Sequence, residues 1–222
     1  MRSFIIRLYE DRIPAGHAPV YLPRMPRSVY VVQGGITVEF SDGTQHQRQE
    51  SAWVGQDQIA LVAGEEDAVL WRWELVAPDA PAGTLRSAPG ATSTLKLQQE
   101  IELDSQFDWL MRCDRVDFPP GGVALTHVHQ GPGIRCCLKG EITIETQGKT
   151  TVHPAGSAWF ELGHAPVLAP TTEATDTSFI RCFILPQGCR LRSSLRYVLP
   201  EDAGKPKRQH YHVYGERMLT LP

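Results

Sequence analysis

The sequence predicts an all-β protein built from two antiparallel β-barrels in tandem. Three observations support this prediction: an internal duplication, a succession of short runs rich in Val, Ile, Thr and aromatic residues, and the absence of a convincing amphipathic helix. Short strands joined by frequent turns are typical of barrels and sandwiches, whereas parallel sheets need a long crossover between strands.

The duplication relates residues 28–53 to residues 134–159 without a gap, at a constant offset of 106 residues. Eight of the 26 aligned positions are identical, among them Trp53 and Trp159. Self-similarity at a fixed period indicates a structural repeat. The sequence therefore predicts two copies of one β unit.

The predicted strands are short apolar runs bounded by turn residues, and glycine-containing tripeptides at 33–35 and 139–141 form tight hairpin turns between them. The best helical candidate, residues 95–103, has only a weak apolar stripe. The predicted strands are residues 29–32, 36–40, 69–75, 109–118, 134–138, 141–145, 157–162 and 178–185.

Composition suggests where the two lobes meet. Residues 77–94 contain few bulky apolar side chains and many Pro, Ala, Gly and Ser residues, which is typical of a linker. After Cys189 the chain is polar and has no counterpart in the first copy. We therefore expect a first lobe at 1–76, a linker at 77–94, a second lobe at 95–189 and a C-terminal extension at 190–222.

Charge and composition exclude several functions. The net charge is −3, and Lys and Arg cluster only in a short run at 205–208, so we expect no nucleic-acid partner. The N-terminal apolar stretch is interrupted by Arg7, and no segment approaches 18 consecutive apolar residues, so we expect neither a signal peptide nor a membrane span. An odd number of cysteines, five, favours a reducing compartment, and we expect a cytoplasmic protein.

A glycine-framed histidine pair stands at the start of the second copy. Five residues separate Gly121 from His127-Val-His129, and ten residues separate His129 from Gly140. Farther on, five residues separate Gly148 from Pro154-Ala-Gly156. Alternate residues of a strand share a face, so both imidazoles point the same way and can take adjacent positions on a divalent metal.

This pattern resembles the two sequence motifs of the cupins, and the duplication resembles a bicupin of the cupin-2 type. The resemblance implies two tandem jelly-roll barrels, also called double-stranded β-helices, of which the N-terminal one is degenerate. It also implies a metal site. In the family's pattern a Glu stands four residues after the second His, and a His stands three residues after the second motif's glycine. This chain has Gly133 and Trp159 at those two positions.

Two nearby residues could replace the missing ligands. Glu161 lies two residues after Trp159 on the same strand face, and His164 follows shortly after it. The predicted metal ligands are therefore His127 and His129, with Glu161 or His164 completing the site. Two imidazoles and one carboxylate suit Fe(II), while Mn, Ni and Zn remain open.

Arg135 and Trp159 are the candidate substrate-binding residues. An inward-facing arginine near a metal would pair with a carboxylate or enolate of a small ligand. Arg181 on the last predicted strand resembles Arg72 of the first copy, which favours a structural role for it. A second HxH pair, His210 and His212, lies in the polar tail without a glycine frame, and we expect no metal there.

At the offset of 106 residues, the first copy lacks all four candidate ligands. We therefore expect no metal and no open pocket there, and an interior filled by side chains such as its tryptophans. The residues at the ligand positions, and at the position of Gly133, are Tyr21, Pro23, Arg27, Gly55 and Gln58.

Three functions are compatible with these features. The first is a metal-dependent enzyme, dioxygenase- or isomerase-like, that acts on a small oxygenated or anionic molecule. The second is a non-catalytic module that binds a small molecule, with a structural metal or none. The third is a storage or scaffold protein without a pocket, which the retained histidine pair disfavours. We also expect a homodimer, with the first strand and the tail among its contacts, because exposed sheet edges tend to be covered.

Overall fold

The computed structural model describes residues 1–81, 85 and 88–222. In this part of the chain nearly all regular structure is β-strand, arranged in four antiparallel sheets. The chain divides into two compact units, one comprising Met1–Phe107 with Arg217–Pro222 and the other Asp108–Glu216. The predicted all-β fold class is confirmed.

The first unit contains two sheets, with strand orders β6-β3-β8-β1-β9 and β2-β7-β4-β5. Its strands are β1 (Arg2–Ile13), β2 (Val20–Leu22), β3 (Arg27–Gln33), β4 (Gly35–Phe40), β5 (Gly43–Arg48), β6 (Ala52–Gly55), β7 (Ile59–Ala63), β8 (Ala68–Val76) and β9 (Thr92–Leu103). A core of buried residues from both sheets lies between them, including Val29, Val38, Trp53 and Leu61.

The second unit repeats this plan, with strand orders β15-β12-β17-β10-β19 and β14-β13-β16-β11-β18. Two short 3₁₀ helices, Gln187–Cys189 and Pro200–Gly204, flank β18. Its strands are β10 (Trp109–Phe118), β11 (Val123–His129), β12 (Gly133–Lys139), β13 (Glu141–Thr146), β14 (Lys149–Pro154), β15 (Ala158–Glu161), β16 (Val167–Pro170), β17 (Thr177–Pro186), β18 (Leu195–Tyr197) and β19 (His210–Met218).

The terminal strands occupy different places from those we expected. β1 lies between β8 and β9, inside the first unit's larger sheet, and β10 has the same position in the second unit. The tail forms β19, which pairs with β10 within the same chain. Both segments therefore belong to the repeats, and β1 is not an exposed edge strand available to a partner subunit.

The boundary between the units falls at residues 107 and 108 rather than at our predicted linker. Thr92–Leu103, which contains the weak helical candidate, forms β9 and pairs with β1 along its whole length. The predicted linker therefore runs into a strand, and its residues Leu85 and Ala88 are buried in the first unit's core. Residues 82–84 and 86–87 of that linker lie outside the described residues.

All five cysteines are buried, and none of them forms a disulfide. Burial raises the pKa of Cys137 to about 11, so its thiol stays protonated and unreactive near neutral pH. No helix in the described part of the chain is long and apolar enough to cross a membrane.

Candidate functional site

β11 carries His127 and His129 on the face that points into the second unit. The side chains are buried, at 5% and 4% exposure, and the two ring centroids lie 4.9 Å apart with the rings nearly perpendicular. Val128, between them, is half-buried on the other side of the strand. The alternation of a β-strand thus brings both imidazoles together, as the HxH spacing predicts.

The hydrogen bond of His127 determines which ring nitrogen carries the proton. Its Nδ1 lies 2.7 Å from the carbonyl oxygen of Leu125, which can only accept, so the proton is on Nδ1 and the lone pair on Nε2. Burial lowers the pKa of His127, although the nearby Glu161 carboxylate partly opposes this. The imidazole is therefore neutral near pH 7, and its Nε2 is able to act as a ligand or base.

His129 is held in a similar state by different neighbours. Its pKa is well below the usual value, first because the ring is buried and second because the guanidinium groups of Arg181 and Arg135 are close. Its Nδ1 lies 3.3 Å from the hydroxyl oxygen of Ser194, and the ring packs 4.9 Å from the Phe183 ring centroid. His129 is also neutral near pH 7.

Glu161, at the end of β15, is a buried carboxylate with two partners. Trp159 donates its indole Nε1–H to Glu161 Oε1 at 2.8 Å, and Arg135 Nη2 forms an ion pair with Oε2 at 2.7 Å. Arg135 also donates to the carbonyl oxygen of Gly133 at 2.5 Å. Because β12 pairs Arg135 directly with Trp159 of β15, the three side chains meet on one face.

A second buried ion pair lies beside the first. Arg181 of β17 is directly opposite Arg135, and it donates to both carboxylate oxygens of Asp114, at 2.5 and 3.1 Å. Burial opposes the positive charge of Arg181, but the Asp114 carboxylate outweighs it and raises the pKa. Both guanidinium groups stack on Phe183, at 4.6 and 4.5 Å from its ring centroid.

These side chains surround one small cavity. Its wall includes the five polar groups His127, His129, Arg135, Glu161 and Arg181, and it is completed by apolar residues of both sheets, among them the ring of Trp159. The cavity has a volume of about 20 Å³, which is room for a single water molecule. With both imidazoles neutral, two carboxylates balance two guanidinium groups around it.

The structure thus brings together five of the six predicted site residues, and His164 is the exception. It is exposed and follows Gly163 (φ 90°), and it does not line the cavity wall that the described residues form. Gly133, at the position of the family's glutamate, packs against β17 so closely that a Cβ would overlap the carbonyl oxygen of Cys182. Among the described residues, no three His, Cys, Asp or Glu side chains are already grouped as metal ligands.

Several solved structures are similar to this chain. A mutant of oxalate decarboxylase from Bacillus subtilis aligns with a TM-score of 0.62 and 12% identity, over 90% of this chain and 73% of that one. An 11S allergen from Cocos nucifera aligns with a TM-score of 0.60 and 11% identity, over 90% and 85%. Both of these proteins are cupins. This chain has the cupin fold.

AerE from Microcystis aeruginosa is similar as well, with a TM-score of 0.58 and 12% identity over 80% of this chain and 87% of AerE. Such low identities extend the likeness to the fold alone. No protein-family model matches the chain, and no curated protein matches its sequence.

The first unit has a different interior at the matching positions. Trp53, the counterpart of Trp159, lies across Gly55, so that a Cβ on Gly55 would overlap its ring. Tyr21, the counterpart of His127, is 59% exposed. Our expectation of no open pocket in this unit is wrong, because a groove of about 790 Å³ occurs there and is larger than the cavity of the second unit. Most of its wall is exposed or half-buried, with polar side chains such as His46 and Arg48, and Ile36 is its one buried residue among those described.

Buried charges of the first unit neutralise one another. Arg27, the counterpart of Gly133, lies 3.1 Å from Glu74, and Arg72 pairs with Asp11 at 2.6 Å. These side chains are at most 2% exposed. A buried arginine–aspartate pair, Arg72 with Asp11 and Arg181 with Asp114, is therefore a shared feature of the two units, but in the first unit it does not adjoin a histidine pair.

Sequence reasoning missed four residues of the second cupin unit's site. Arg181 lines the cavity, although its resemblance to Arg72 suggested a purely structural role. Leu195 and Tyr211 also line the cavity, and Ser194 contacts His129. The last three come from the C-terminal extension, whose sequence does not resemble the first copy, so the duplication gave no signal for them. Its strand β19 nevertheless takes the place that β9 has in the first unit.

Proposed function

We propose that this protein is a metal-dependent cupin that acts on a small oxygenated or anionic molecule, with its functional site in the second unit. The observation that carries the proposal is the buried, neutral histidine pair of β11 beside the carboxylate of Glu161. Arg135 and Trp159, the candidate substrate-binding residues, contact that carboxylate. The expected chemistry is that of a dioxygenase or an isomerase.

The histidines fit a divalent metal. Metal-binding histidines usually donate their second ring N–H to a carbonyl or carboxylate, and His127 donates to the Leu125 carbonyl in this way. A ligand imidazole must also be neutral, and burial keeps both rings neutral.

Glu161 is our candidate for the third donor. An ionised carboxylate has about four lone-pair sites, so its contacts with Arg135 and Trp159 leave it able to accept further. The exposure of His164 favours Glu161 over it. Such a donor set suits Fe(II), and Mn, Ni or Zn are the other candidates. When bound, the metal would supply Lewis-acid or redox chemistry.

The remaining residues have roles that need no metal. Arg135 and Trp159 orient Glu161, and Arg135 and Arg181 place two positive charges beside the cavity. Each is already paired with a carboxylate, Glu161 or Asp114, so a ligand carboxylate or enolate would compete with these carboxylates for the guanidinium groups. The apolar residues around them exclude water and so strengthen these electrostatic interactions.

A non-catalytic binding module is the alternative, with a structural metal or none. The small cavity favours this alternative, as does the ion pair that already engages Glu161. Under this hypothesis the two arginines would hold a small anion directly, and removal of metal would not change anion binding.

Metal analysis of the purified protein tests the proposal. We expect about one divalent metal per chain by elemental analysis, and none in His127→Ala/His129→Ala. The matched control is His210→Ala/His212→Ala, which removes an exposed HxH pair with the same spacing from β19. Metal retained by the first variant and lost from the second would place the site in the tail. A metal-free wild-type protein that still binds small anions would favour the binding module.

A further inference from the structure

The C-terminal extension pairs directly with the histidine-bearing strand. β18 is the edge strand of its sheet, and its register places Tyr197 opposite His127 and Leu195 opposite His129. The backbone N–H of Val198 continues this pairing to the carbonyl oxygen of Thr126 at 3.0 Å. The extension therefore forms part of the wall next to both imidazoles.

The same extension closes the cavity. Leu195 from β18 and Tyr211 from β19 line it together with the histidines and arginines. A cavity of about 20 Å³ holds one water, so any larger ligand needs part of the wall to move. The strands β10, β12 and β17 are long and pair on both sides, which leaves them poorly suited to such a movement.

Residues 190–197, which we call the strap, are the weakest part of this wall. β18 has only three residues, and most of the strap is exposed, with only Ser194 buried. Few buried contacts and exposed backbone are the features of segments that open locally at low cost in free energy. At its start, Leu191 has φ 58°, a left-handed conformation that costs a non-glycine residue energy.

A buried pair of charges holds the strap at this strained residue. Arg112 of β10 donates to the carbonyl oxygens of Cys189 and Arg192, at 2.5 and 2.9 Å. Glu216 of β19 accepts from Arg112 Nε at 2.5 Å and from the backbone N–H of Leu191 at 3.0 Å. We call Arg112 and Glu216 the clamp, because together they bind both sides of Leu191.

We propose that the strap is a movable wall of the second unit's cavity and that the clamp keeps it closed. The strap opens by release of the β18–β11 pairing, which exposes His127 and His129 to solvent. This inference goes beyond the proposed function, because it holds whether the cavity takes a metal-bound substrate or a free anion.

Chemical modification of the buried histidines measures strap opening without any metal. Diethyl pyrocarbonate modifies accessible neutral imidazoles, and peptide mapping by mass spectrometry gives the rate at each histidine. His127 and His129 should react slowly in the wild type, whereas the exposed His164 and His212 should react fast. In Glu216→Gln, which weakens charged hydrogen bonds of the clamp, we expect the rates at His127 and His129 to rise about tenfold.

A cross-link between β18 and β11 should prevent strap opening in a protein whose clamp is intact. Val128 and Arg196 are directly opposed on β11 and β18, so Val128→Cys/Arg196→Cys presents two thiols that dibromobimane can join. The native cysteines are buried and should not compete. The joined protein should react at His127 and His129 at least about tenfold more slowly, because local opening is the route removed.

Two matched controls separate the strap from general effects. Asp117→Asn breaks a partly exposed ion pair with Arg115 on β10, and Thr143→Cys/Val152→Cys joins β13 to β14 instead. Neither should change the rates at His127 and His129. The proposal is overturned if joining β18 to β11 leaves those rates unchanged, or if Glu216→Gln is folded and reacts like the wild type. Absence of bound metal would count against the proposed function alone.

Discussion

Trp53 lies across Gly55 in the first unit, whereas Trp159 donates a hydrogen bond to Glu161 at the same positions of the second. The tryptophan is common to both copies, and the residue two positions later differs. Where it is glycine, the indole ring fills the space itself. Where it is glutamate, the indole N–H holds a carboxylate at the edge of a cavity.

The close packing of Trp53 on Gly55 predicts a cost for any side chain at Gly55. Gly55→Ala should lower the free energy of unfolding by about 1–3 kcal/mol, because the added methyl group overpacks a buried ring. Urea denaturation monitored by tryptophan fluorescence would measure this decrease in the free energy of unfolding. Gly64→Ala is the matched control, since a Cβ there meets no atom within 4 Å. Equal stability of the two variants would show that Trp53 moves aside freely.

Loss of the buried ion pair between Arg135 and Glu161 should lower the free energy of unfolding more than Gly55→Ala does. Glu161→Gln leaves the guanidinium of Arg135 buried without its charged partner, and the free energy of unfolding should fall by about 3 kcal/mol. Burial already lowers the pKa of Arg135 to about 10, which reflects the cost of its charge. Asp176→Asn, which breaks the exposed pair with Lys139, should change stability by less than about 1 kcal/mol.

A double variant separates the charge effect from lost packing. Arg135→Met/Glu161→Gln removes both charges, so it should be more stable than Glu161→Gln alone. Denaturation of all three proteins under the same conditions gives the comparison. A double variant that is less stable than the single variant would mean that Arg135 contributes mainly through its contacts with Phe183.

The repeat made much of this fold predictable, because the duplicated segments keep the same turn glycines and the same strand alternation. The repeat did not predict the place of β1 in the fold, because β1 and its counterpart β10 have little sequence in common. The repeat also could not predict Asp114 as the partner of Arg181, since these two residues are 67 positions apart in sequence. Strand alternation predicted that His127, His129 and Glu161 point into the barrel. It could not predict the orientation of His164, because the chain turns at Gly163.

The buried histidines predict a pH dependence for the metal-free protein. Their pKa values are lowered in the folded state by burial and by Arg135 and Arg181, so below about pH 6.5 the unfolded chain binds protons that the folded protein does not. The free energy of unfolding should therefore fall as the pH drops from about 6.5 towards the folded pKa values. Glu161 opposes this shift at His127, so the larger effect should come from His129.

Thermal melting at a series of pH values would measure this dependence. The variant His127→Gln/His129→Gln should have a flatter profile than the wild type between about pH 7 and pH 5. His210→Gln/His212→Gln should follow the wild type, because those side chains are exposed. Parallel profiles for the wild type and the first variant would contradict the neutral state of the buried pair.

The tail and the oligomeric state can be tested together. Because β19 covers the edge of β10 and supplies Glu216 and Tyr211, deletion of residues 207–222 should lower the melting temperature of the second unit. The homodimer remains a prediction, in which light scattering gives twice the chain mass of 24.7 kDa. A mass of one chain at all concentrations would rule it out, whatever the effect of the deletion.

Direct detection of metal–imidazole bonds tests the central claim, that His127 and His129 form one metal site. Pulsed electron paramagnetic resonance of the Mn(II)-loaded protein should detect couplings to two imidazole nitrogens. His127→Ala and His129→Ala should each remove one of them, while His164→Ala should remove neither. Unchanged nitrogen couplings in His127→Ala/His129→Ala, or no nitrogen couplings in the wild type, would contradict the account.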